Sequence, residues 1–513
     1  MQQSGNKPIS IALPLIIAGA IALGMWLGYA LRARTAPMNN VFVNTQKTAL
    51  QEAVDIIQKR YVDQLPADSL NEMLVQSWLN KLDPHSVYIP AVDVKDVNAS
   101  LEANYSGLGI EFQIWNDTLT ITSVLPNGPA ALAKLQPGDQ LITANDTTNL
   151  VKLKIPQYRR ILRGAPGSTI ALKLRRNNEI IKSVVTRNAV ATPSVEGGFF
   201  LQPAVGYIRI VKFGESTYEE FMPKLDKLVK QGMKKLVIDV RGNGGGFMNE
   251  AVDIADEFLD GNKLIVYTQG HATGKINYLC KRTGLFEQGE LVLLADETSA
   301  SASEVLAGAL QDWNRATIIG RRTFGKGLVQ QQYNLSDGSA LRLTVARYYT
   351  PLGRNIQKPY ADGKSAYEAD LIHRWQDGEM VLADTTKPKG KAYRTPNGKL
   401  VYDGGGVTPD VFVPLDTATQ SKNVQTLFAK GLLYKAAFTL VGQKNITPET
   451  AQLALENELK LASIPNNFST NQWQFITQRI VAIHAKINKG EDAYLQELSK
   501  TDDAIKQALL PLK

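Results

Sequence analysis

Cysteine is almost absent from this chain. Its 513 residues hold one, Cys280, so no intramolecular disulfide staples the fold, in whichever compartment it forms. Histidine is scarce too: His85, His271, His373 and His484 are scattered and make neither HExxH nor a paired ligand pattern, so no metal site is expected. A dense block of like charge is also missing. Lys plus Arg exceed Asp plus Glu by 57 to 49, a net charge of +8 that is small for this length, and nucleic-acid binding is not expected. What is present is 44% apolar residues, enough for a sizeable core, on a chain long enough for about three domains.

One stretch, Ile9–Leu31, runs 23 residues without a charge, the length of a bilayer span. A cleaved signal peptide competes, but its apolar region is usually about 7–15 residues, and no small-x-small cleavage site stands out, so residues 1–34 are expected to be an uncleaved anchor. Residues 40–95 follow as a helical segment, with Leu50, Val54, Ile57 and Tyr61 recurring every three to four and Asp83-Pro84 as the stop. His85, beside that proline, is expected to cap or hydrogen-bond. Residues 98–190 read as a β-rich domain: Gly107-Leu108-Gly109-Ile110 opens it, Leu119–Val124 alternates, Pro137-Gly138-Asp139 turns, and Tyr158–Leu162 is a short helix.

Residues 195–416 alternate strand and helix, which argues for a layered α/β core. Lys235–Val240 is an apolar strand running into Arg241-Gly242-Asn243-Gly244-Gly245-Gly246. That glycine run is either a tight strand-to-helix turn or an amide-lined anion site. A polar, Lys- and Gly-rich insertion, residues 353–405, has no assignable role. Residues 417–513 read as a helical extension over Leu427–Val441, Ala451–Ser463 and Trp473–Ile487.

The stretch richest in chemistry is Leu291–Gln332. Leu291–Ala295 reads as a buried strand, Asp296–Thr298 as a turn, and Ser301–Trp313 as a helix with Val305, Leu306, Ala309, Leu310 and Trp313 on one stripe. Ser301-Ala302-Ser303-Glu304 fits a capping box with Ser301 as N-cap. The competing reading is a nucleophile at a helix start, where free amides can hold an oxyanion. Lys326 lies 25 residues on, between Gly325 and Gly327. It is either a solvated loop cation or a general base. An unperturbed lysine is neutral in only about one molecule in 2,500 at pH 7, and lowering its pKa by roughly 3 costs about 4 kcal/mol, which burial can impose. Gly320–Lys326 also matches G-x-x-x-x-G-K of a nucleotide-binding loop. However, Gly327 stands where Ser or Thr should hold magnesium, and Leu328–Tyr333 reads as strand.

SASASE, QDW and TFGKGLVQ together resemble the C-terminal processing peptidases, tail-specific serine peptidases with a Ser/Lys site. The resemblance implies that Ser301 is the nucleophile, Lys326 the general base and Gln330 its supporting residue. It makes Asp312 a structural acid, and Ser299 and Ser303 loop and cap residues. It also implies an oxyanion site made by the Gly245 and Ala302 amides. Gly107–Phe112 with LQPGDQLI resembles a PDZ domain, in which the amides of Gly107, Leu108, Gly109 and Ile110 would hold a peptide's terminal carboxylate while the peptide adds as a strand. The expected fold is thus mixed α/β and β, multidomain: an N-terminal membrane helix, a helical segment, a PDZ-like domain before an α/β peptidase core, and a helical extension.

The expected activity is that of a membrane-anchored serine endopeptidase on proteins recognised by their C-terminal tails, with no cofactor. The family resemblance puts the bulk of the chain outside the cytoplasmic membrane, in the periplasm if the cell has one. An inactive PDZ adaptor is the alternative, and a second copy of the chain or an adaptor protein stays open as a further partner. A resting state with Lys326 displaced from Ser301 also stays open.

Overall fold

The computed structural model describes residues 17–27, 48–63, 67–101, 104–382, 390–417 and 421–510. The expected membrane span lies largely outside them. Its described part, residues 17–27, is helical and exposed, and among the described residues no helix is long and apolar enough to cross a membrane. The chain divides into two units, Met1–Leu74 and Val75–Lys513. In the first, helix α1 (Ala49–Arg60) is capped by Thr48, whose hydroxyl accepts from the Gln51 amide, and it buries none of its side chains.

All that follows concerns the second unit. Helix α2 (Ala67–Leu82) ends at Asp83-Pro84, as expected, and strand β1 (Val87–Ile89) follows. The β-rich domain is an antiparallel sheet in the order β2 (Ile110–Trp115), β3 (Thr118–Val124), β4 (Gln140–Ala144), β5 (Thr169–Arg176), β6 (Glu179–Thr186). Helix α3 (Ile155–Leu162) lies against it, burying Tyr158 and Leu162 with Leu119, Ile121, Leu141 and Ile170. Strand β2 pairs only with β3, so its other edge is open.

The α/β core is a six-stranded sheet in the order β7 (Val195–Gln202), β8 (Val205–Ile210), β9 (Lys235–Asp239), β12 (Glu290–Ala295), β13 (Thr317–Gly320), β16 (Val411–Phe412), parallel from β8 onward. All five residues of β9 are buried. Such a strand needs cover on both faces. Helices α4 (Thr217–Lys230), α5 (Met248–Asp256) and α6 (Ala302–Asp312) cover one. The other is covered from the far end of the chain, by Leu495 of α11 (Glu491–Ser499) and by Ala504, Ile505 and Ala508 of α12 (Asp503–Leu509). The last two helices therefore belong to the peptidase layer, whereas the sequence placed them in a separate extension.

A second sheet carries the base loop. Here β15 (Ala340–Tyr349) pairs with β14 (Leu328–Asn334) on one side, and with β1 and β10 (Leu264–Gly270) on the other; β11 (Gly274–Leu279) pairs with β10. The residue 353–405 insertion supplies helix α7 (Lys364–Gln376).

The helix expected over Leu427–Val441 is broken. It ends at Ala429 and restarts as α8 (Leu432–Thr439) after Gly431, which is left-handed at φ 65°. The reason is the Trp115 indole of β2: a Cβ on Gly431 would sit 2.0 Å from it. Lys486 on helix α10 (Thr470–Lys489) also pairs with Glu111 of β2 at 2.9 Å, so the β-rich domain rests on the C-terminal helices. Gly431→Ala is expected to lower the unfolding midpoint of the full chain, the collision costing about 1–3 kcal/mol. Gly442→Ala, which carries the same left-handed strain with nothing within 4 Å, is the control for backbone cost alone in the same thermal melt.

Candidate active site

Ser301 stands between β12 and α6, at φ 56°, ψ −114°, a region that non-glycine residues avoid. Such strain, of order 1–3 kcal/mol, persists only where neighbours fix the backbone. They do so on both sides. The Ser299 hydroxyl donates to Val240 O (2.8 Å), the Ser303 hydroxyl to Asn243 O (3.0 Å) and the Ala300 amide to Asn243 O (3.0 Å), so the serine loop is sewn to the glycine turn after β9. Gly245 is packed against the nucleophile: a Cβ there would lie 2.6 Å from Ala300 O and 2.7 Å from Ser301 Cβ.

Only half of the expected capping box is used. The Ser301 amide donates to Glu304 Oε2 (2.8 Å), but the Ser301 hydroxyl makes no capping bond, so it is left for chemistry. Glu304 is fully buried, and its carboxylate does far more than cap. Oε1 accepts from the Thr323 hydroxyl (2.5 Å) and the Gly325 amide (2.7 Å), while Oε2 accepts from the amides of Ser301 and Lys326, both at 2.8 Å. One oxygen thus holds the backbones of both residues. Burial pushes the Glu304 carboxyl up, and these bonds pull it back part of the way. Tyr348 adds a second pin: its buried hydroxyl lies 3.0 Å from Ser301 O and 2.7 Å from Lys326 O.

Lys326 Nζ donates to Gln330 Oε1 (3.0 Å), and Gln330 Nε2 donates to His85 O (2.5 Å). Burial lowers the Lys326 pKa from its ordinary value, the Arg342 guanidinium lowers it further, and Glu304 and Asp83 oppose both. Asp83 accepts from the amides of His85 (2.8 Å) and Ser86 (2.9 Å) and from the hydroxyls of Ser86 (2.6 Å) and Thr344 (3.0 Å). Thr344 is the cross-strand partner of Gln330, so the turn is locked onto β15 directly opposite it. Among the described residues no hydrogen bond joins Lys326 Nζ to the Ser301 hydroxyl. Catalytic contacts of this kind often tighten only when substrate binds.

The glycine turn differs from expectation. The Gly245 amide, expected as an oxyanion donor, donates to Asn243 Oδ1 (2.8 Å). Asparagine side chains commonly capture the amide two residues on. The Ala302 amide, at the start of α6, has no acceptor among the described residues. Asp312 is buried in an ion pair with Arg354 (2.6 Å) and accepts from the Leu352 amide (2.9 Å), a structural role.

The nucleotide-loop alternative fails on its amides. Those of Arg321, Thr323, Phe324, Gly325, Lys326 and Gly327 all donate within the protein, so none is left to cradle a phosphate, and β14 follows instead of a helix. Among the described residues no group of three or more His, Cys, Asp or Glu could hold a metal. Cys280 is buried, and burial pushes its thiol up to about 12, so it is not a nucleophile. In the β-rich domain, the Leu108 and Gly109 carbonyls accept from Ala130 (2.8 Å) and Leu125 (2.9 Å), which fixes the Gly107–Ile110 loop.

A parallel α/β core with a serine at a strand-to-helix turn, a desolvated lysine beside it and a small β domain ahead define a serine peptidase joined to a PDZ domain. A sequence model of peptidase family S41 matches residues 204–363, and one of a PDZ domain matches residues 120–176. A carboxy-terminal-processing protease of Bartonella bacilliformis is 34% identical over 341 residues, 64% of this chain and 76% of that protein. A probable CtpA-like serine protease of Staphylococcus aureus is 28% identical over 469 residues, 90% of this chain and 84% of that protein. Among solved structures, a photosystem II D1 C-terminal processing protease aligns at 26% identity over 71% of this chain and 91% of its own, with a TM-score of 0.36. The chain belongs to the carboxy-terminal-processing proteases of peptidase family S41.

Proposed function

We propose that this protein is an endopeptidase that cleaves proteins presented by their C-terminal tails, with Ser301 as nucleophile and Lys326 as general base. The observation that carries the reading is the pairing of an uncapped hydroxyl at a strained helix start with a desolvated lysine, both backbones bound to one Glu304 oxygen. Neutral Lys326 takes the Ser301 proton as Oγ bonds to the scissile carbonyl carbon. The lysine returns that proton to the departing amine as the C–N bond breaks, and water then releases the acyl group by the same route. Gln330 orients Nζ. The Ala302 amide stabilises the oxyanion, and Gly245 joins it by exchanging Asn243 Oδ1 for the substrate oxygen. One such donor is worth roughly 3–4 kcal/mol.

The tail docks on the β-rich domain. The Leu108 and Gly109 amides donate to nothing among the described residues, and the open edge of β2 lies beside α3, with Phe112 and Tyr158 at 6.0 Å between ring centres. A terminal carboxylate on those amides and a strand added to β2 is the mode such an edge supports. The apolar segment before residue 34 anchors the chain, with the bulk outside the cytoplasmic membrane.

The test is cleavage of a partly unfolded protein by the full chain, with its tail free or amidated. Ser301→Ala is expected to abolish cleavage, and amidation to slow it. Equal cleavage by wild type and Ser301→Ala sinks the reading.

A further inference from the structure

The sequence leaves residues 353–405 without a role. In the structure they wrap the loop that carries Lys326. The Lys358 amide donates to Gly325 O (2.9 Å), and Gln357 Oε1 accepts from the Gly327 amide (2.8 Å). The Arg374 guanidinium donates to Thr323 O (3.1 Å) and Arg322 O (2.6 Å). Lys358 Nζ lies 3.9 Å from the Phe324 ring centre and 4.2 Å from that of Tyr367, and is held there by Asp370 at 2.9 Å. A polar segment is therefore buried against the loop because its side chains satisfy the loop's own backbone.

Tyr367 of α7 sits at the centre of this contact and is 4% exposed. Its hydroxyl is 2.9 Å from His85 Nε2 and accepts from Gln357 Nε2 at 3.4 Å. Since Gln357 supplies a proton to that hydroxyl, the tyrosine's own proton goes to His85 Nε2, which is thereby assigned as acceptor. Both neighbours lead to the base. His85 holds Gln330 through its carbonyl, and Gln330 holds Lys326 Nζ; Gln357 holds the peptide on the far side of Lys326.

We propose that Tyr367 is a positioning residue for the general base, its hydroxyl fixing the two side chains that hold the head and the backbone of Lys326. The inference rests on the reading of Lys326 as base. A lysine has a long, flexible stem, and here an anchored amide sets where its nitrogen sits. With Nε2 of Gln330 committed to His85 O, Oε1 must face Lys326. If His85 moves, the amide is free to turn, and water gains access to Nζ.

The charged and titratable groups facing Lys326 are Glu304 on α6, Asp83 and His85 in the turn before β1, and Arg342 on β15. Lys358 and Lys364 face His85, whose pKa burial and then Lys326 push down to about 4. Tyr367→Phe alters none of these charges and keeps the ring with its edge-on contacts to His85 (5.2 Å) and Phe324 (5.8 Å). A changed pH profile then reports the placement and hydration of Lys326.

The experiment follows peptide cleavage by the full-length chain from pH 6 to 10 for wild type, Tyr367→Phe, Gln330→Ala, the double variant and Lys326→Ala. Tyr367→Phe is expected to lower kcat at pH 7 by about tenfold or more with KM unchanged. Its acidic limb should move to higher pH, so that the deficit narrows in alkali. The same substitution should do less in the Gln330→Ala background. A fall that is uniform across pH, or a wild-type profile, overturns the proposal. If Lys326→Ala is inactive while Tyr367→Phe matches wild type, only this inference fails. If Lys326→Ala cleaves normally, the base reading fails and takes the inference with it.

Discussion

Replacing Lys326 by alanine is expected to lower kcat/KM on the order of 10⁴-fold, the upper range for loss of a positioned general base. Folding should not suffer. Lys326 is a cation in a desolvated place, so its removal relieves a cost, and the melting midpoint should match or exceed that of wild type. Lys326→Arg separates charge from basicity. An arginine can still donate to Gln330, but it keeps its proton at any working pH. It should be as inactive as alanine, and an active arginine variant would falsify the base assignment.

The pH profile carries the same argument. The base works when neutral, so activity rises with pH through the pKa of Lys326. Because burial and Arg342 lower that pKa, the rise should lie below the ordinary lysine range near 10.4. On the limb, log kcat/KM should climb about one unit per pH unit and then level off. Glu304 and Asp83 oppose the shift, so removing the charge of Asp83 should move the limb down in pH. That direction is opposite to the one expected of Tyr367→Phe, and the two variants check each other.

The strands were legible because they are runs of apolar residues. Leu236-Val237-Ile238 and Leu291–Leu294 read as buried at sight, and their continuity implied cover on both faces. Which segments supply the second cover was not legible. Helices α11 and α12 are short and polar, and they dock by a few small residues such as Ala504 and Ala508.

The site shows the same division. Ser301 and Lys326 stood out by motif and by glycine punctuation. Glu304 looked like a cap, because three of its four donors are backbone amides and only two of the four partners, Thr323 and Ser301, carry a side chain that marks a polar position. Gln330 was expected beside Lys326, but its other partner is the carbonyl of His85, 245 residues away, and a carbonyl has no signature in sequence. The 353–405 insertion looked like solvent-facing chain because it is polar, yet Arg354, Tyr367 and Arg374 are buried. Composition cannot separate polar groups that face water from those that face another segment's backbone.

Glu304→Gln is expected to be the most damaging conservative substitution in the protein. A carboxylate offers acceptors only, and both Glu304 oxygens are fully used by two donors each. Glutamine is the same size but brings one oxygen and one NH2. Whichever way the amide turns, two inward donors meet two more hydrogens. If the NH2 faces Oε2's side, the amides of Ser301 and Lys326 lose their shared acceptor. If it faces the other side, the Gly325 amide and the Thr323 hydroxyl do, and Thr323 cannot turn away freely because its oxygen already accepts from the Val407 amide (2.7 Å). Each buried donor left unpaired costs about 1–3 kcal/mol. The melting midpoint should therefore fall well below that of Ser301→Ala, which disturbs no such bond. Activity should fall with it by a hundredfold or so, since a displacement near 1 Å of nucleophile or base suffices for that. Glu304→Asp keeps the charge but shortens the reach by one methylene, so it should recover part of the stability and little of the activity. A Glu304→Gln protein that melts and cleaves like wild type would mean that the serine and lysine loops are held by their glycine turns and by Tyr348 alone.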